Sequence, residues 1–315
     1  MAPSSPPSPE EMAGAAAEFA AEAGRLLLGL FGKRVEVDYK NKAKTDPVSE
    51  ADRASQDLLT RAIGARYPGH AVLGEEKPKD EAEAKKEGER TAPEHLWVLD
   101  PLDGTKNFLN GMAVWACSVA VLREGRPVAG AIFTPEASGG GEGGTEGGRV
   151  YRAWEGGGAF LGERKIQVAE DERPTGRRIA SLPAAYWTQY RPTGPLRSNL
   201  GEVRAPGSIA YELALVARGG LHYALFGGPS IWDAAAGVLL VREAGGLPLL
   251  RLPGADRWAP FESFFPAGGG PRRLEDVRRW RRALLVGNPE LVHHLAANLR
   301  KVNRPRLWYG GRRRR

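Results

Sequence analysis

Apolar and polar positions along the chain alternate with two different periods, and the period changes near its middle. Residues 1–9 are Pro and Ser rich and read as a disordered lead, and about 10–32 read as a helix. RVEVDYK (34–40) alternates apolar and polar residues, the pattern of a half-buried strand. SEADRASQDLLTRAIGARY (49–67) reads as a helix with Ser49 as N-cap and acids in its first turn. Leu58, Leu59, Ala62 and Ile63 form its apolar stripe, and Pro68-Gly69 ends it. AVLGEE (71–76) is a short strand running into acids, and 77–95 has no apolar period and reads as a mobile excursion. HLWVLDP (95–101) reads as a buried strand cut off by Pro101, followed by a turn, DGTKNF (103–108), able to open a helix. Residues 115–135 predict two strands joined near Glu124-Gly125, and 149–169 two or three more. The N-terminal half is therefore expected to hold helices and a largely antiparallel sheet.

After about residue 175 strands and helices alternate. IASLPA (179–184), LHYALFG (221–227) and LPLLRL (247–252) read as strands. A helix over 208–220 has Ser208 as its expected cap, a second covers 230–246, and 282–299 reads as strand, turn and helix. This alternation is the mark of layered α/β structure. The expected organisation is a lead (1–9), an N-terminal α+β half carrying metal ligands (10–175), a C-terminal α/β half (176–300) and a basic tail (301–315).

Composition narrows the class. Apolar residues make up 42% and charged residues 26%, the profile of a soluble globular protein. The longest apolar run, MAVWACSVAVL (112–122), is too short for a bilayer span, and acids rather than basic residues precede the apolar part of the N-terminus. The expectation is a cytoplasmic protein with no membrane partner. The single cysteine, Cys117, excludes an internal disulfide and reads as a buried thiol. Much of the +7 net charge lies in PRRLEDVRRWRR (271–282), read as a solvated helix face, and in the RRRR end. Neither is accompanied by a nucleic-acid-binding module, so no nucleic-acid partner is expected.

Where the acids sit carries more. Glu75 and Glu76 follow a strand, Asp100 and Asp103 flank Pro101 at the end of an apolar strand, Asp52 lies on a helix, and Asp233 opens another. A carboxylate at the end of a buried strand is costly to desolvate without a cation. An all-oxygen donor set suits a hard ion such as Mg²⁺. In DGT, Gly104 lets backbone approach a ligand, and a helix starting there would offer its free N–H groups to an anion. Metal-binding acids beside an anion-binding turn describe phosphoryl-transfer chemistry. Taken singly, each of these residues is also a common turn or helix cap.

Four segments, DPVSEAD (46–52), GEE (74–76), WVLDPLDGTKNF (97–108) and WDAAAG (232–237), occur in an order that resembles the inositol monophosphatase family of lithium-sensitive, magnesium-dependent phosphatases. The likeness spans about 12–297. It implies an αβαβα layered sandwich like that of fructose-1,6-bisphosphatase, and two or three Mg²⁺ ions. By the same likeness, Glu75, Asp100, Asp103, Asp233 and the main-chain carbonyl of Leu102 hold metal. Thr105 with Asp52 holds and deprotonates the attacking water, and Glu76 binds a metal-linked water or orients Glu75. The N–H groups of Gly104 and Thr105 hold phosphate with Asp103 and Asp233 nearby, and Ser208 in GSIA (207–210) lies beside sugar or phosphate. A homodimer and lithium inhibition are implied as well.

One departure bears on substrate. Where animal members carry an acid that contacts the inositol ring, this chain has Phe226, which cannot accept hydrogen bonds from hydroxyls. The resemblance thus implies a phosphatase of small polyol or sugar phosphates of the inositol-1-phosphate type. Fructose-1,6-bisphosphatase, 3′-phosphoadenosine-phosphate nucleotidase and histidinol-phosphatase activities are the alternatives. A catalytically silent binding module is the alternative of another class; it would be expected to lack one of these acids, and all are present. His70, His95, His222, His293 and His294 have no zinc-site spacing, and Trp97, Trp115, Trp154 and Trp187 read as core or interface. Trp232 reads as packing that fixes Asp233.

Overall fold

A computed structural model describes residues 6–39, 47–77, 81–136, 144, 145, 147–254, 257–265 and 272–302. Most of the Pro/Ser lead and of the arginine tail, and much of the Gly-rich stretch 138–148, lie outside the described residues.

The chain begins with α1 (Pro9–Leu30), locked at its start by a capping box. Ser8 N–H donates to Glu11 at 2.7 Å, and Glu11 N–H donates to Ser8 Oγ at 3.2 Å. A small hairpin, β1 (Val37–Tyr39) and β2 (Pro47–Ser49), leads into α2 (Glu50–Arg66). There follow β3 (Ala71–Gly74), α3 (Glu81–Glu89), β4 (His95–Asp103), α4 (Thr105–Leu109), β5 (Ala116–Arg123), β6 (Arg126–Pro135), β7 (Gly144–Thr145), β8 (Gly148–Trp154), β9 (Gly158–Leu161) and β10 (Arg164–Lys165). Among the described residues these strands make an eight-stranded sheet ordered β10-β9-β8-β6-β5-β4-β3, with β7 paired to β8. Only the β3–β4 pair is parallel; the rest are antiparallel, as expected from the chain.

The second half continues with β11 (Ile179–Ser181), α5 (Tyr186–Gln189), β12 (Tyr190–Pro192), β13 (Glu202–Arg204), α6 (Ile209–Ala217), β14 (Tyr223–Phe226), α7 (Ile231–Glu243), β15 (Leu249–Arg251), β16 (Trp258–Pro260), α8 (Leu274–Arg278), β17 (Leu284–Gly287), α9 (Pro289–Asn298) and β18 (Leu299–Lys301). Its six-stranded sheet, among the described residues, runs β13-β11-β14-β17-β15-β16 and is parallel only across β13, β11 and β14.

Side-chain alternation sorts these elements into layers. On β4, Trp97 and Leu99 pack with α1 and α2, while Leu96 and Val98 pack with α6 and α7. On β14, Ala224 and Phe226 face α6 and α7, while Tyr223 and Leu225 face α9. The result is the αβαβα sandwich: α1 and α2, first sheet, α6 and α7, second sheet, α9. The two central helices follow residue 175 in the chain but pack against the first sheet, so one core crosses that boundary. Gly237 of α7 lets the helices meet; a Cβ there would overlap the Leu213 side chain.

Several expectations change. Residues 77–95 are not featureless: α3 forms there because EAEAKKEGE is built of strong helix formers, even without an apolar stripe. Pro101 does not end its strand. β4 runs to Asp103 through a register irregularity between Asp100 and Asp103, a place where a missing N–H is tolerated. The segment 271–282 is not simply a solvated face, since Leu274, Val277 and Arg278 are buried. Among the described residues no helix is long and apolar enough to cross a membrane.

Candidate active site

The irregularity in β4 is what makes the site. It turns the strand so that Asp100 and Asp103, three residues apart, both reach one point at its carboxyl end. Parallel pairing of β3 with β4 sets Gly74 beside Leu99, and Glu75 N–H donates to Leu99 O at 3.1 Å, which delivers Glu75 to the same end. Gly74 has no side chain because Gln56 passes over it. The Gln56 amide grips the main chain of Glu76 in both directions, at 2.6 and 2.9 Å. Asp233 arrives from the first turn of α7. Ligand oxygens of Asp100, Asp103 and Asp233 all lie within 4.8 Å of one another.

Each carboxylate is oriented by hydrogen bonds that leave capacity for a ligand. Asp103 Oδ2 accepts from Ser208 Oγ and from Ala210 N–H, both at 2.6 Å, so Asp103 caps α6 from across the fold. Asp233 Oδ2 accepts from Ser230 N–H at 2.7 Å. Asp52, fully buried in the first turn of α2, accepts from Ser49 N–H at 2.7 Å and Ser49 Oγ at 2.5 Å through Oδ2. Its Oδ1 accepts from Thr105 Oγ1 at 2.9 Å. Thr105 Oγ1 also lies 3.1 Å from Leu102 O, and its single hydroxyl hydrogen serves one acceptor at a time. Gly104 precedes α4 with φ 88°, and a Cβ there would stand 2.9 Å from Val114 O.

Ser208 does not make the side-chain cap expected of it on α6; it is fully buried and its hydroxyl donates to Asp103, so it positions a carboxylate. Phe226 packs in the central layer rather than lining an open surface. Glu212, which sequence reasoning passed over, holds this corner: it accepts from Gly207 N–H at 2.9 Å, Ser208 N–H at 3.2 Å and the Ser181 hydroxyl. An acid alone inside the apolar helix IAYELALVA was the available signal.

Burial and mutual repulsion perturb the acids. Asp100 is held well above the usual carboxylate range by desolvation, then by Glu75, Asp103 and Asp233. Asp103 is likewise raised by desolvation and by Asp233. Asp233 is pushed up to about 6 by burial and Glu75. Asp52 is raised by burial, against the pull of its bonds to Ser49 and Thr105. Packing several carboxylates out of water is unfavourable unless a cation neutralises them. Oxygen-only donors at this spacing fit a hard divalent ion, so the residues pass the chemical test for the metal that their types imply.

The model of the inositol monophosphatase family matches residues 8–255. The chain belongs to the inositol monophosphatase family. An inositol-1-monophosphatase of Mesorhizobium japonicum is 35% identical over 234 residues, covering 72% of this chain and 80% of that protein. A protein of Xylella fastidiosa named Nus factor SuhB is 30% identical over 281 residues, covering 88% and 90%. The crystal structure of the extragenic suppressor protein SuhB from Bartonella henselae superposes with a TM-score of 0.65 at 26% identity, over 90% of this chain and 96% of that one. Family membership makes this chain a phosphatase in its general class, and the acidic cluster gives it a place to hold metal.

The family match ends before a stretch that the site uses. Arg278 in α8 is 8% exposed, and its Nη1 donates to Gly74 O at 2.7 Å and to Glu75 O at 3.0 Å. It clamps the main chain that carries the acids. Arg281 lies with its guanidinium 5.1 Å over the Trp232 ring, and Arg278 lies 5.6 Å from the same ring. Glu75, Glu76, Asp233 and Arg281 share the wall of a cleft of about 860 Å³. Leu274 and Val277, three apart within the arginine run, were the trace of its packing.

Proposed function

We propose that the chain is a Mg²⁺-dependent phosphatase of small polyol or sugar phosphates, of the inositol-1-phosphate type, working by direct attack of water. The observation that carries this is the Thr105–Asp52 hydrogen bond of 2.9 Å set beside three aspartates whose oxygens lie within 4.8 Å. Two or three Mg²⁺ ions held by Glu75, Asp100, Leu102 O, Asp103 and Asp233 would neutralise the phosphate oxygens and make water easier to deprotonate. Thr105 Oγ1 takes a hydrogen bond from the attacking water and passes its own proton to Asp52, because a hydroxyl alone is too weak a base. Ser49 keeps Asp52 aimed at Thr105 throughout. The N–H groups of Gly104 and Thr105 hold a phosphate oxygen, and Glu76 orients Glu75. The water oxygen bonds to phosphorus as the ester P–O bond breaks, the leaving oxygen takes up a proton from solvent water, and Asp52 returns its proton to solvent.

Mg²⁺-supported phosphate release by the purified full chain, scored on inositol 1-phosphate, fructose 1,6-bisphosphate, 3′-phosphoadenosine 5′-phosphate and histidinol phosphate, tests the reading and ranks its substrates. Hydrolysis that survives a chelator, or no hydrolysis of any of them, refutes it. A cytoplasmic homodimer inhibited by lithium belongs to the same reading, without nucleic-acid or membrane partners. Sedimentation velocity and a lithium titration check the assembly and the inhibition.

A further inference from the structure

Three arginines of the segment after the family match reach the cleft, and they are not equivalent. Arg278 is committed to the Gly74 and Glu75 carbonyls and to Glu87 at 3.3 Å. Arg279 pairs with Glu275 at 3.3 Å. Arg281 is exposed and forms no ion pair with a described acid. Its Nη1 is anchored on the carbonyls of Arg278 at 3.1 Å and Trp280 at 2.7 Å, and its plane is steadied by the Trp232 ring. Asp233, the next residue after Trp232, belongs to the acid cluster.

Arg281 stands near enough to Asp233 for its charge to pull against that acid's raised pKa, yet no carboxylate pairs with it directly, and a guanidinium fixed by backbone and an indole face is a fork for an anion. It lines a cleft that Glu75, Glu76 and Asp233, three of the acids named for the site, also line. At about 860 Å³ that cleft has the size that takes a whole drug-sized ligand, more than a phosphoryl group alone would fill.

We propose that Arg281 forms a second anion subsite, through which the cleft selects phosphomonoesters whose leaving alcohol carries another phosphate group. This deepens the phosphatase reading and rests on it. A role confined to balancing the charge of the acids would treat all substrates alike, whereas a subsite discriminates between them.

The test compares fructose 1,6-bisphosphate with fructose 1-phosphate in excess Mg²⁺, using the full chain and the Arg281→Gln and Arg281→Glu variants. The ratio of kcat/KM for the bisphosphate to that for the monophosphate is expected to fall about 10- to 100-fold in Arg281→Gln, mostly through KM, and further in Arg281→Glu. An unchanged ratio, whether both substrates slow together or neither does, overturns the subsite. If the parent chain hydrolyses neither substrate, nor inositol 1-phosphate, 3′-phosphoadenosine 5′-phosphate or histidinol phosphate, the phosphatase reading fails separately. Calorimetric binding of fructose 1,6-bisphosphate to the Mg²⁺-loaded chain then decides. Affinity weakened by Arg281→Gln supports the subsite, and unchanged affinity or no binding overturns it.

Discussion

Replacing Asp103 with Asn removes a charge while keeping the side chain's shape, and its effect on stability should change sign with metal. Oδ2 of Asp103 accepts two hydrogen bonds at 2.6 Å, which the amide oxygen of Asn can keep while its NH₂ faces the other acids. Without divalent ion, two full charges 4.8 Å apart, the span of the cluster, repel by about 3.5 kcal/mol at an effective dielectric near 20. The raised acids include Asp233 at about 6, with Asp100 and Asp103 held well above the usual range. Between about pH 4, where these groups ionise in the unfolded chain, and their raised values in the fold, the folded chain binds more protons. Stability of the chelated protein therefore falls as pH rises through that window. Asp103→Asn lightens this load, so in chelator near pH 8 the variant should unfold at a higher temperature than the parent, by about 3.5 kcal/mol of stability for each ionised neighbour it no longer repels. Excess Mg²⁺ should reverse the order, because only the parent keeps the full donor set and gains stability by binding. Turnover should fall by about 10³-fold or more, as catalysis here is electrostatic. Thermal unfolding followed by circular dichroism, with chelator and with Mg²⁺, reads both signs. A variant less stable than the parent in chelator, with an undiminished Mg²⁺ shift and undiminished turnover, would refute the cage.

Thr105→Ala should lower kcat about 10²- to 10⁴-fold while the Mg²⁺-induced shift in Tm persists, and Thr105→Ser should restore much of the rate; phosphate-release kinetics and thermal unfolding together check this. Gly237→Ala should cost about 1–3 kcal/mol in urea unfolding, since its Cβ would overlap Leu213 between the central helices. Arg278→Met should cost roughly 2–4 kcal/mol, because it removes the donor to two carbonyls and the partner of Glu87. It should also weaken Mg²⁺ activation, read as a raised half-saturating concentration, since it loosens the main chain of Glu75.

Much of the local structure was legible because its causes are local. Ser49 and Asp52 sit three residues apart, which suffices for a capping box, and Glu124-Gly125 marks its hairpin at φ 51° and 83°. The near-continuous apolar runs of β4 and β5 already encoded two buried faces. Where local signals conflicted, the context decided. Pro101 looked like a terminus and became part of a bulge, because Ser55 Oγ donates to its carbonyl at 2.9 Å and the strand continues to pair with β5. Ser208 looked like a cap and became the support of an acid that itself caps α6.

The sequence by itself determined most element types, α3 excepted, together with the two-sheet rhythm and the set of acids. These follow from periods, caps and turn residues within a few positions of one another, and from motifs whose order marks the family. Only the tertiary structure decided which oxygens meet, which arginine is clamped under the acids and which faces the cleft open-handed. Those outcomes depend on contacts such as Gly74 with Arg278 and Asp103 with Ser208, made between residues a hundred or two hundred positions apart. Nothing in the neighbouring sequence of any one of them specifies its partner; the packing of two sheets around α6 and α7 does.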